Sequence, residues 1–308
     1  MVRAPAICVS HGGGPMPVLN DPGHLDIVSS LKNRVPKILK LGTPDAPRAI
    51  IVVTAHWSTR HPTVSSGAKH SLYYDYGGFP PEAYKLKYDA PGSPEVAEQV
   101  KAALGNAGFK TVLDSQRGNQ CPSCFQHKSS HQVPCTDFEG GKGWDHGVFI
   151  PFLLINPAAD IPVIQMSVLD SEDPREHFKM GQALSALRDD NIAIVGSGFA
   201  SFHNLRIMFS LRHQDEQTAA QFKASVDRWN QSVTDAVSKD GIEEKEEALS
   251  RWRDIDGSYV MHPRGGAEHF LPLIVVAGAA RGDEKLGKYS DEFVGLDMWT
   301  YYWGDVAV

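Results

Sequence analysis

The sequence predicts an α/β fold in which a central, mostly parallel sheet is flanked by helices within a single domain. Several short apolar runs, rich in β-branched residues and bounded by turn formers, are typical of strands buried on both faces. Helical patterns lie between these runs, and alternation of strand and helix along a chain is the order found in parallel sheets. One sheet of this kind can account for all 308 residues, so the predicted domain spans positions 1–308.

Five runs are predicted to form the strands of this sheet. They are nearly continuous in apolar residues, whereas a half-exposed strand would alternate between apolar and polar positions. The runs are Ala6–Val9, Ala49–Thr54, Lys110–Leu113, Ile161–Val168 and Ile192–Gly196.

One of the intervening helices carries clear start and stop signals. Ser93 is a suitable N-cap, Pro94 fits the first helical position, and Glu95 lies near the positive end of the helix dipole. Gly105 or Gly108 is expected to end this helix.

Three further helical segments are expected along the chain. A helix beginning near Asp173 and Pro174 places Phe178, Met180, Leu184 and Leu187 on one face. The highly charged residues 215–253 are predicted to form a solvated helix with i,i+4 charge pairs. The last helix, residues 268–280, is rich in Leu, Val and Ala and is expected to pack against the sheet.

The overall composition is that of an ordinary globular protein and narrows the class of partner. The net charge is −7, with 42% hydrophobic and 22% charged residues, and no basic stripe offers a footprint for nucleic acid. No apolar run reaches the length needed to cross a bilayer, so no membrane partner is expected. The four cysteines include Cys8 inside a predicted strand, which favours a reduced, cytoplasmic protein. The sequence does not indicate an oligomeric state.

Three histidines lie at the predicted carboxyl ends of strands, where open α/β sheets place their functional crevice. His11 follows the first run, His56 ends the second, and His203 follows the fifth. A lone histidine is more often a hydrogen-bonded structural residue. Three that converge on one edge of a sheet from distant parts of the chain favour a functional site.

Two more histidines belong to this set. His146 stands before an apolar helical run, so it is expected near a helix N-terminus, where the dipole favours neutral imidazole. His269 is expected in the first turn of the last helix. Neutral imidazoles are good ligands for Fe(II) and Zn(II), so the cluster favours metal catalysis over nucleophilic catalysis. The glycines of "SHGGGPM" are then expected to leave the open coordination positions uncrowded.

Seven stretches, in chain order, resemble the DODA-type extradiol dioxygenases, which are LigB-like members of the class III extradiol family. They are "SHGGGPM", "VVTAHW", "YDYGGFPPEAY", "YDAPGSPEVA", "GWDHGVFIPF", "FHNL" and "EHFLPL". The resemblance implies an α/β enzyme that binds a catechol and O2 at a non-haem Fe(II) and cleaves the ring beside the diol. Purified relatives with Zn(II) imply that the metal present can differ from the active one.

The resemblance also implies roles for individual residues. His11, His56 and His269 correspond to metal ligands, with Glu268 as the alternative third ligand. His203 corresponds to the acid/base, and in some relatives it is counted as a fourth ligand. His146 corresponds to a group that hydrogen-bonds substrate or oxygen. Two other functions use the same residues: a zinc-dependent hydrolase, and a LigB-fold binding protein without catalytic activity.

Residues 115–142 depart from the family pattern and form a Cys/His-rich insert ahead of His146. The C-x2-C spacing predicts a second, structural Zn(II) held by three cysteines and one of His127 and His131. Reduced cysteines without metal, or a disulfide, are the alternatives. The candidate ligands are Cys121, Cys124, His131 and Cys135.

The aromatic stretch "YYDYGGFPPEAY" allows two interpretations. Tyr76, Phe79 or Tyr84 could form a wall against the substrate ring, or the whole stretch could serve loop packing. The other histidines are assigned to surface or structural roles, and the role of His262 is left open because it is close in sequence to His269. Those assigned are His24, His61, His70, His177 and His213.

Overall fold

A computed structural model of the protein describes residues 3–116, 143–211 and 214–306. Eight strands lie within these ranges. They are β1 (Ala6–Ser10), β2 (Ala49–Thr59), β3 (Thr63–Ser65), β4 (Val112–Asp114), β5 (Val163–Leu169), β6 (Ile192–Gly198), β7 (Leu286–Phe293) and β8 (Leu296–Trp303).

Ten α-helices lie in the same ranges, together with several short 3-10 turns. The helices are α1 (Leu25–Asn33), α2 (Val35–Ile38), α3 (Pro94–Asn106), α4 (His146–Ile155), α5 (Pro174–Leu184), α6 (Leu205–Leu211), α7 (Glu216–Val237), α8 (Ile242–Ser250), α9 (Ser258–Met261) and α10 (Leu271–Ala279).

All eight strands belong to one sheet, in the order β4-β3-β5-β2-β6-β1-β8-β7. The four central strands pair in parallel, β5 with β2, β2 with β6, and β6 with β1. Antiparallel pairs join β3 to β5 on one side and the β7–β8 hairpin to β1 on the other. The predicted α/β fold with a mostly parallel central sheet is therefore confirmed.

Helices cover both faces of the central strands, as two neighbouring residues of β6 demonstrate. A Cβ on Gly196 would lie 2.8 Å from the Pro272 carbonyl oxygen of α10, so this position faces α10. The next residue, Ser197, donates its hydroxyl hydrogen to the Gly147 carbonyl of α4. Successive residues of a strand point to opposite faces, so α4 and α10 lie on opposite sides of the sheet.

Three of the four central strands are buried along their whole length, and the fourth, β2, is buried from Ala49 to Ala55, as their continuous apolar sequences predict. Every residue of β1, β5 and β6 is buried. The predicted Lys110–Leu113 strand is instead an edge strand, β4, and its Val112 is 40% exposed. A strand at the edge of a sheet has a neighbouring strand on one side only, and in β4 all three residues are at least partly exposed.

Two helical predictions need correction. The charged segment 215–253 is not one solvated helix: α7 and α8 are separate, and α7 buries Trp229, Val233 and Val237 against the core. The last helix begins at Leu271 and not at Glu268. His269 therefore lies in the turn before α10, closed by the Phe270 amide donating to the Ala267 carbonyl at 2.7 Å.

Part of the Cys/His-rich insert can be placed. Residues 115 and 116 follow β4, but Cys121, Cys124, His131 and Cys135 lie outside the described residues, so the second zinc site stays a prediction.

Among the helices that the structure describes, none combines the length and the apolar character needed to cross a membrane.

His177 joins the end of β5 to the start of α5. Its Nε2 accepts a hydrogen bond from the Leu169 amide at 2.9 Å, and its Nδ1 donates to the Asp173 carbonyl at 2.6 Å. These partners require the neutral ring, with a proton on Nδ1 alone. Burial lowers the pKa of His177 to about 4.

We expect His177 to make the fold sensitive to mild acid. Its folded pKa, about 4, lies below the unfolded value of 6.5, so between these values the unfolded chain binds more protons. The stability contributed by neutral His177 is present above pH 6.5 and is lost as the pH falls toward 4, by about 3 kcal/mol.

Urea unfolding at pH 7 and pH 4 tests this expectation. His177→Gln is the control, because the Gln amide oxygen can accept from Leu169 but does not titrate. The stability of the wild type relative to this variant should fall by about 3 kcal/mol between the two pH values. Parallel pH profiles would contradict the prediction.

Candidate metal centre

Three predicted ligands converge at the carboxyl edge of the sheet. His11 directly follows β1, His56 lies near the end of β2, and His269 lies in the turn before α10. A possible ligand atom from each lies within 4.8 Å of those of the other two. The Nε2 atoms of His11 and His56 are 3.1 Å apart, and the ring centroid of His269 lies 5.3 Å from that of His11 and 4.9 Å from that of His56.

The partners of His11 fix which of its nitrogens carries the proton. Its Nδ1 lies 3.0 Å from the Ser197 hydroxyl oxygen. Because Ser197 uses its own hydrogen to donate to the Gly147 carbonyl, this hydroxyl accepts from Nδ1–H of His11. Neutral His11 therefore has its lone pair on Nε2, the nitrogen that faces His56.

His269 is arranged in the same way. Its Nδ1 lies 3.1 Å from Oε1 of Glu268, which accepts the ring hydrogen. Its Nε2 is buried, with no hydrogen-bond partner among the described residues. Burial raises the pKa of Glu268 to about 7. A positive charge on the His269 side would lower this pKa again and favour the carboxylate form of Glu268. Glu268 contacts the side of the ring opposite to Nε2.

Burial keeps these rings neutral. It lowers the pKa of His11 and of His269 well below the ordinary value, and the neighbouring histidines lower both further. A metal about 2.1 Å from two imidazole nitrogens separates them by roughly 3.0–3.4 Å, close to the distance between the Nε2 atoms of His11 and His56. Converging neutral nitrogens and an orphaned Nε2 thus fit a divalent cation.

His146 is the first residue of α4 and lies beside this group. Its ring centroid is 3.8 Å from that of His56 and 5.6 Å from that of His11. Oδ1 of Asp75 lies 2.9 Å from both the backbone nitrogen and the Nδ1 of His146. His56, Asp75 and His146 form a second set of possible ligand atoms within 4.8 Å of one another.

His203 completes the five-histidine cluster. Its ring stacks on that of His269 with centroids 3.3 Å apart and planes 15° from parallel, and Phe199 stacks on it at 5.6 Å. Its backbone amide donates to the Met261 carbonyl at 3.0 Å. Burial, with a smaller effect of His146, lowers the pKa of His203 to about 4, so this ring is also neutral.

The predicted aromatic wall lies next to the cluster. The Tyr76 ring is 5.9 Å from that of His146, 5.5 Å from Phe79 and 5.5 Å from Tyr84. Its hydroxyl donates to the Ala83 carbonyl at 2.7 Å, so the ring, and not the hydroxyl, is the surface available to a neighbour.

The remaining histidines lie apart from these contacts. His262 is buried among Trp229, Trp252 and Phe270, with ring centroids 5.2–6.0 Å away, which indicates a core residue. His24 is buried and bonded to Asp21, a structural role as expected. His213 lies outside the described residues.

Sequence reasoning missed the residues behind the histidines. Asp75 lies inside the quoted stretch "YDYGG", where only the aromatic residues drew attention. Ser197 is a polar residue in an otherwise apolar, buried strand, and this contrast in the sequence could have indicated a functional role. A third group is Asp145, whose carboxylate accepts from Thr54 at 2.8 Å and Gln165 at 2.6 Å and so links β2, β5 and α4.

The glycines after His11 are closely packed. The atoms nearest to an added Cβ belong to the same loop at Gly12 and Gly13, and to Phe79 and Tyr76 of the aromatic wall at Gly14. Gly12 has φ +82, and its Cβ would lie 2.3 Å from Cγ of Pro17; at Gly14 the nearest atom is Cζ of Phe79 at 3.3 Å. The Gly13 amide donates to Nε2 of His24 at 2.9 Å. Close loop packing therefore requires these glycines.

Known proteins of one family resemble this chain along almost its whole length. Residues 5–302 match the family described as the catalytic LigB subunit of aromatic ring-opening dioxygenase. The dioxygenase tasH of Hapsidospora irregularis is 49% identical over 308 residues, which cover 99% of this chain and 86% of that protein. The 4,5-DOPA dioxygenase extradiol of Beta vulgaris is 33% identical over 245 residues, or 78% of this chain and 75% of that one.

Bacterial proteins show the same similarity in sequence and in structure. The 4,5-DOPA dioxygenase extradiol of Escherichia coli K12 is 31% identical over 284 residues, covering 92% of this chain and 88% of that protein. The crystal structure of the uncharacterized protein JW3007 from Escherichia coli K12 matches with a TM-score of 0.67 and 29% identity. That match covers 98% of this chain and 100% of the other.

We predict that Gly12→Ala destabilises the loop that follows His11. The variant combines a positive φ with a Cβ 2.3 Å from Pro17, and overpacking of this kind costs about 1–3 kcal/mol. Gly42→Ala is the matched control, because Gly42 has φ +73 but no described heavy atom within 4 Å of its Cβ position. Urea unfolding should show Gly12→Ala to be less stable than the control by this amount. Equal losses would show that close packing is unimportant.

Proposed function

The chain belongs to the LigB family of extradiol ring-opening dioxygenases, and we propose that it opens the ring of a catechol at a divalent metal held by His11, His56 and His269. The observation that carries this ligand set is the direction of the lone pairs. Hydrogen bonds to Ser197 and Glu268 place protons on Nδ1 of His11 and His269, which makes both Nε2 atoms available to a cation.

The same geometry favours His269 over Glu268 as the third ligand. The Glu268 carboxylate is occupied by Nδ1 of His269, as in the carboxylate–histidine–metal arrangement that orients ligands in many metal sites. We assign Fe(II) to the active enzyme on the resemblance to the family. Zn(II) accepts the same imidazole ligands, so zinc can occupy the site in purified protein.

The bound metal would supply Lewis acidity that eases deprotonation of the diol, and would hold the diol and O2 side by side. Removal of the second phenolic proton needs a base, and we assign this role to His203. This ring is neutral near pH 7, and negative charge developing on the diol would favour its protonated form. His146, held by Asp75, is assigned to hydrogen-bond the substrate or oxygen.

The substrate ring is proposed to pack against Tyr76 and Phe79. Tyr76 lies beside His146, and Phe79 reaches the loop that carries His11. The hydroxyl of Tyr76 is tied to a backbone carbonyl, so this wall offers aromatic carbon to the ring. DOPA, which appears in the names of several relatives, is the first catechol to test, followed by caffeate.

Anaerobic reconstitution tests the proposed activity. Metal-free protein is loaded with Fe(II) or Zn(II), mixed with each catechol, and then exposed to O2. A coloured ring-opened product and stoichiometric O2 uptake with Fe(II) are expected. Hydrolysis of ester or amide substrates by the zinc form alone would favour the hydrolase, and catechol binding without turnover would favour a binding protein.

We predict that His11→Ala lowers metal affinity by at least ~100-fold, because one of three ligands is lost. His61→Ala is the control: the bonds that the structure gives His61 use its backbone carbonyl, which alanine keeps. Metal content after dialysis is measured by atomic absorption, and circular dichroism checks the fold. A His11→Ala protein that retained both metal and activity would refute the ligand assignment.

His203→Gln should separate proton transfer from metal binding. We expect kcat to fall about 10²- to 10⁴-fold, because loss of a general base removes that much rate. Metal content should stay at the wild-type level, since His203 is not one of the three proposed ligands. Full kcat in this variant would remove His203 from the mechanism.

A further inference from the structure

Asp75 contacts two histidines of the candidate metal centre with different oxygens. Oδ1 lies 2.9 Å from Nδ1 of His146, and Oδ2 lies 3.7 Å from Nδ1 of His56. The Asp75 side chain is only 9% exposed. One carboxylate therefore lies between a proposed ligand and the ring proposed to face the substrate.

We propose that Asp75 is a positioning residue that fixes the tautomer of His146 and its placement against His56, so that Nε2 of His146 is presented to the substrate. This inference rests on the proposed function, because it assigns to Asp75 a part in the same reaction. Asp75 acts through His146 and His56, and no contact between Asp75 and substrate is required.

The tautomer follows from the partners. A carboxylate oxygen can only accept, and Oδ1 of Asp75 faces both the backbone amide and Nδ1 of His146. Nδ1 must therefore carry a hydrogen. In the neutral ring Nε2 then has the lone pair, and it is this nitrogen that can exchange a hydrogen bond or proton with a bound molecule.

The backbone around Asp75 is built to hold this geometry. Leu72 forms a bridge with Trp144, and the amides of Tyr73 and Trp144 donate to the carbonyls of Trp144 and Ser71 at 2.7 and 3.0 Å. The segment that carries Asp75 is thus bonded to the residues immediately before His146. Rigid support of this kind is what a positioned functional side chain needs.

The hydroxyls on either side of Asp75 add to this support. Tyr74 donates to the Leu86 carbonyl at 2.7 Å, and Tyr76 donates to the Ala83 carbonyl at 2.7 Å. Both neighbours are therefore anchored to the next turn of the chain. The Asp75 carboxylate has little freedom to leave His146.

A purely structural role is the competing explanation. A carboxylate oxygen of Asp75 accepts from the amide of His146, the first residue of α4, and so caps the N-terminus of this helix from a distant part of the chain. Asn and Asp are about equally good acceptors for a helix N-terminus. Asp75→Asn therefore preserves the cap while removing the charge, and its amide can present either O or NH2 to the imidazole.

Nuclear magnetic resonance of the metal-free protein tests the tautomer directly. Long-range 1H–15N spectra distinguish the two neutral forms of each imidazole, and His146→Gln identifies the His146 signals. The wild type should show the Nδ1–H form of His146, and Asp75→Asn should show a mixture of both forms. Asp89→Asn, at an exposed carboxylate, is the control and should leave the spectrum unchanged.

Activity and stability complete the test. Asp75→Asn should lower kcat about 10- to 100-fold at equal iron content, with its melting temperature within about 2 °C of the wild type. An Nε2–H form of His146 in the wild type would overturn the proposal. So would unchanged tautomers or unchanged kcat in Asp75→Asn, and a lower melting temperature as the only effect would identify a cap.

The outcome is separable from that of the proposed function. If wild-type protein with Fe(II) opened no catechol, the proposed function would fail. The tautomer measured in metal-free protein would still decide whether Asp75 controls His146.

Discussion

The structure depends on one constraint: uncharged imidazoles must be buried together, with the lone pairs of His11 and His269 on Nε2. Burial lowers the pKa of His11, His203 and His269, so the rings do not repel as cations. Neutral rings still place polar nitrogens in a site of low dielectric, which costs free energy when a nitrogen has no partner. Nε2 of His269 is such an atom. A shared cation relieves this cost for several rings at once.

The sheet makes this arrangement possible through alternation along a single strand. Gly196 and Gly198 of β6 face α10, and a Cβ on Gly198 would lie 2.3 Å from the His269 carbonyl oxygen. The turn that carries His269 can therefore approach β6 closely, and the Phe199 amide donates to the same carbonyl at 2.8 Å. Ser197, between the glycines, points to the other face and orients His11. Three consecutive residues thus position two of the proposed ligands from opposite sides of the sheet.

The features that could be predicted from sequence are those with a local signal. Continuous apolar runs and histidines at their ends are local signals, and they indicated the central strands, His11 and His56. The β7–β8 hairpin was not predicted, because its strands pair at the edge of the sheet and carry mixed polar and apolar residues. The charges in residues 215–253 concealed the buried Trp229, because composition over a long window hides one apolar face.

The residues behind the histidines were harder to predict for another reason. Asp75 meets His146, 71 positions further along the chain, and Ser197 meets His11, 186 positions away. No spacing rule relates such pairs, because tertiary packing alone brings them together. Glu268 is the exception, since it is adjacent to His269. Sequence left the choice of ligand between these two open, and the bond from Nδ1 to Oε1 favours His269.

The groups beside Nδ1 of the three proposed ligands differ in charge, and this difference shapes the electrostatics of the site. His11 donates to a neutral hydroxyl, whereas His269 donates to Glu268 and His56 lies near Asp75. Glu268 and Asp75 both lie on the Nδ1 side of a ring. The charge of a cation bound at Nε2 would therefore be offset by carboxylates that are separated from it by an imidazole, and neither carboxylate would ligate it directly. Under the proposed function, the positive charge of this cation would stay exposed to an anionic diol, while the carboxylates offset the cost of burying that charge. Carboxylates as direct ligands would weaken attraction of the diol.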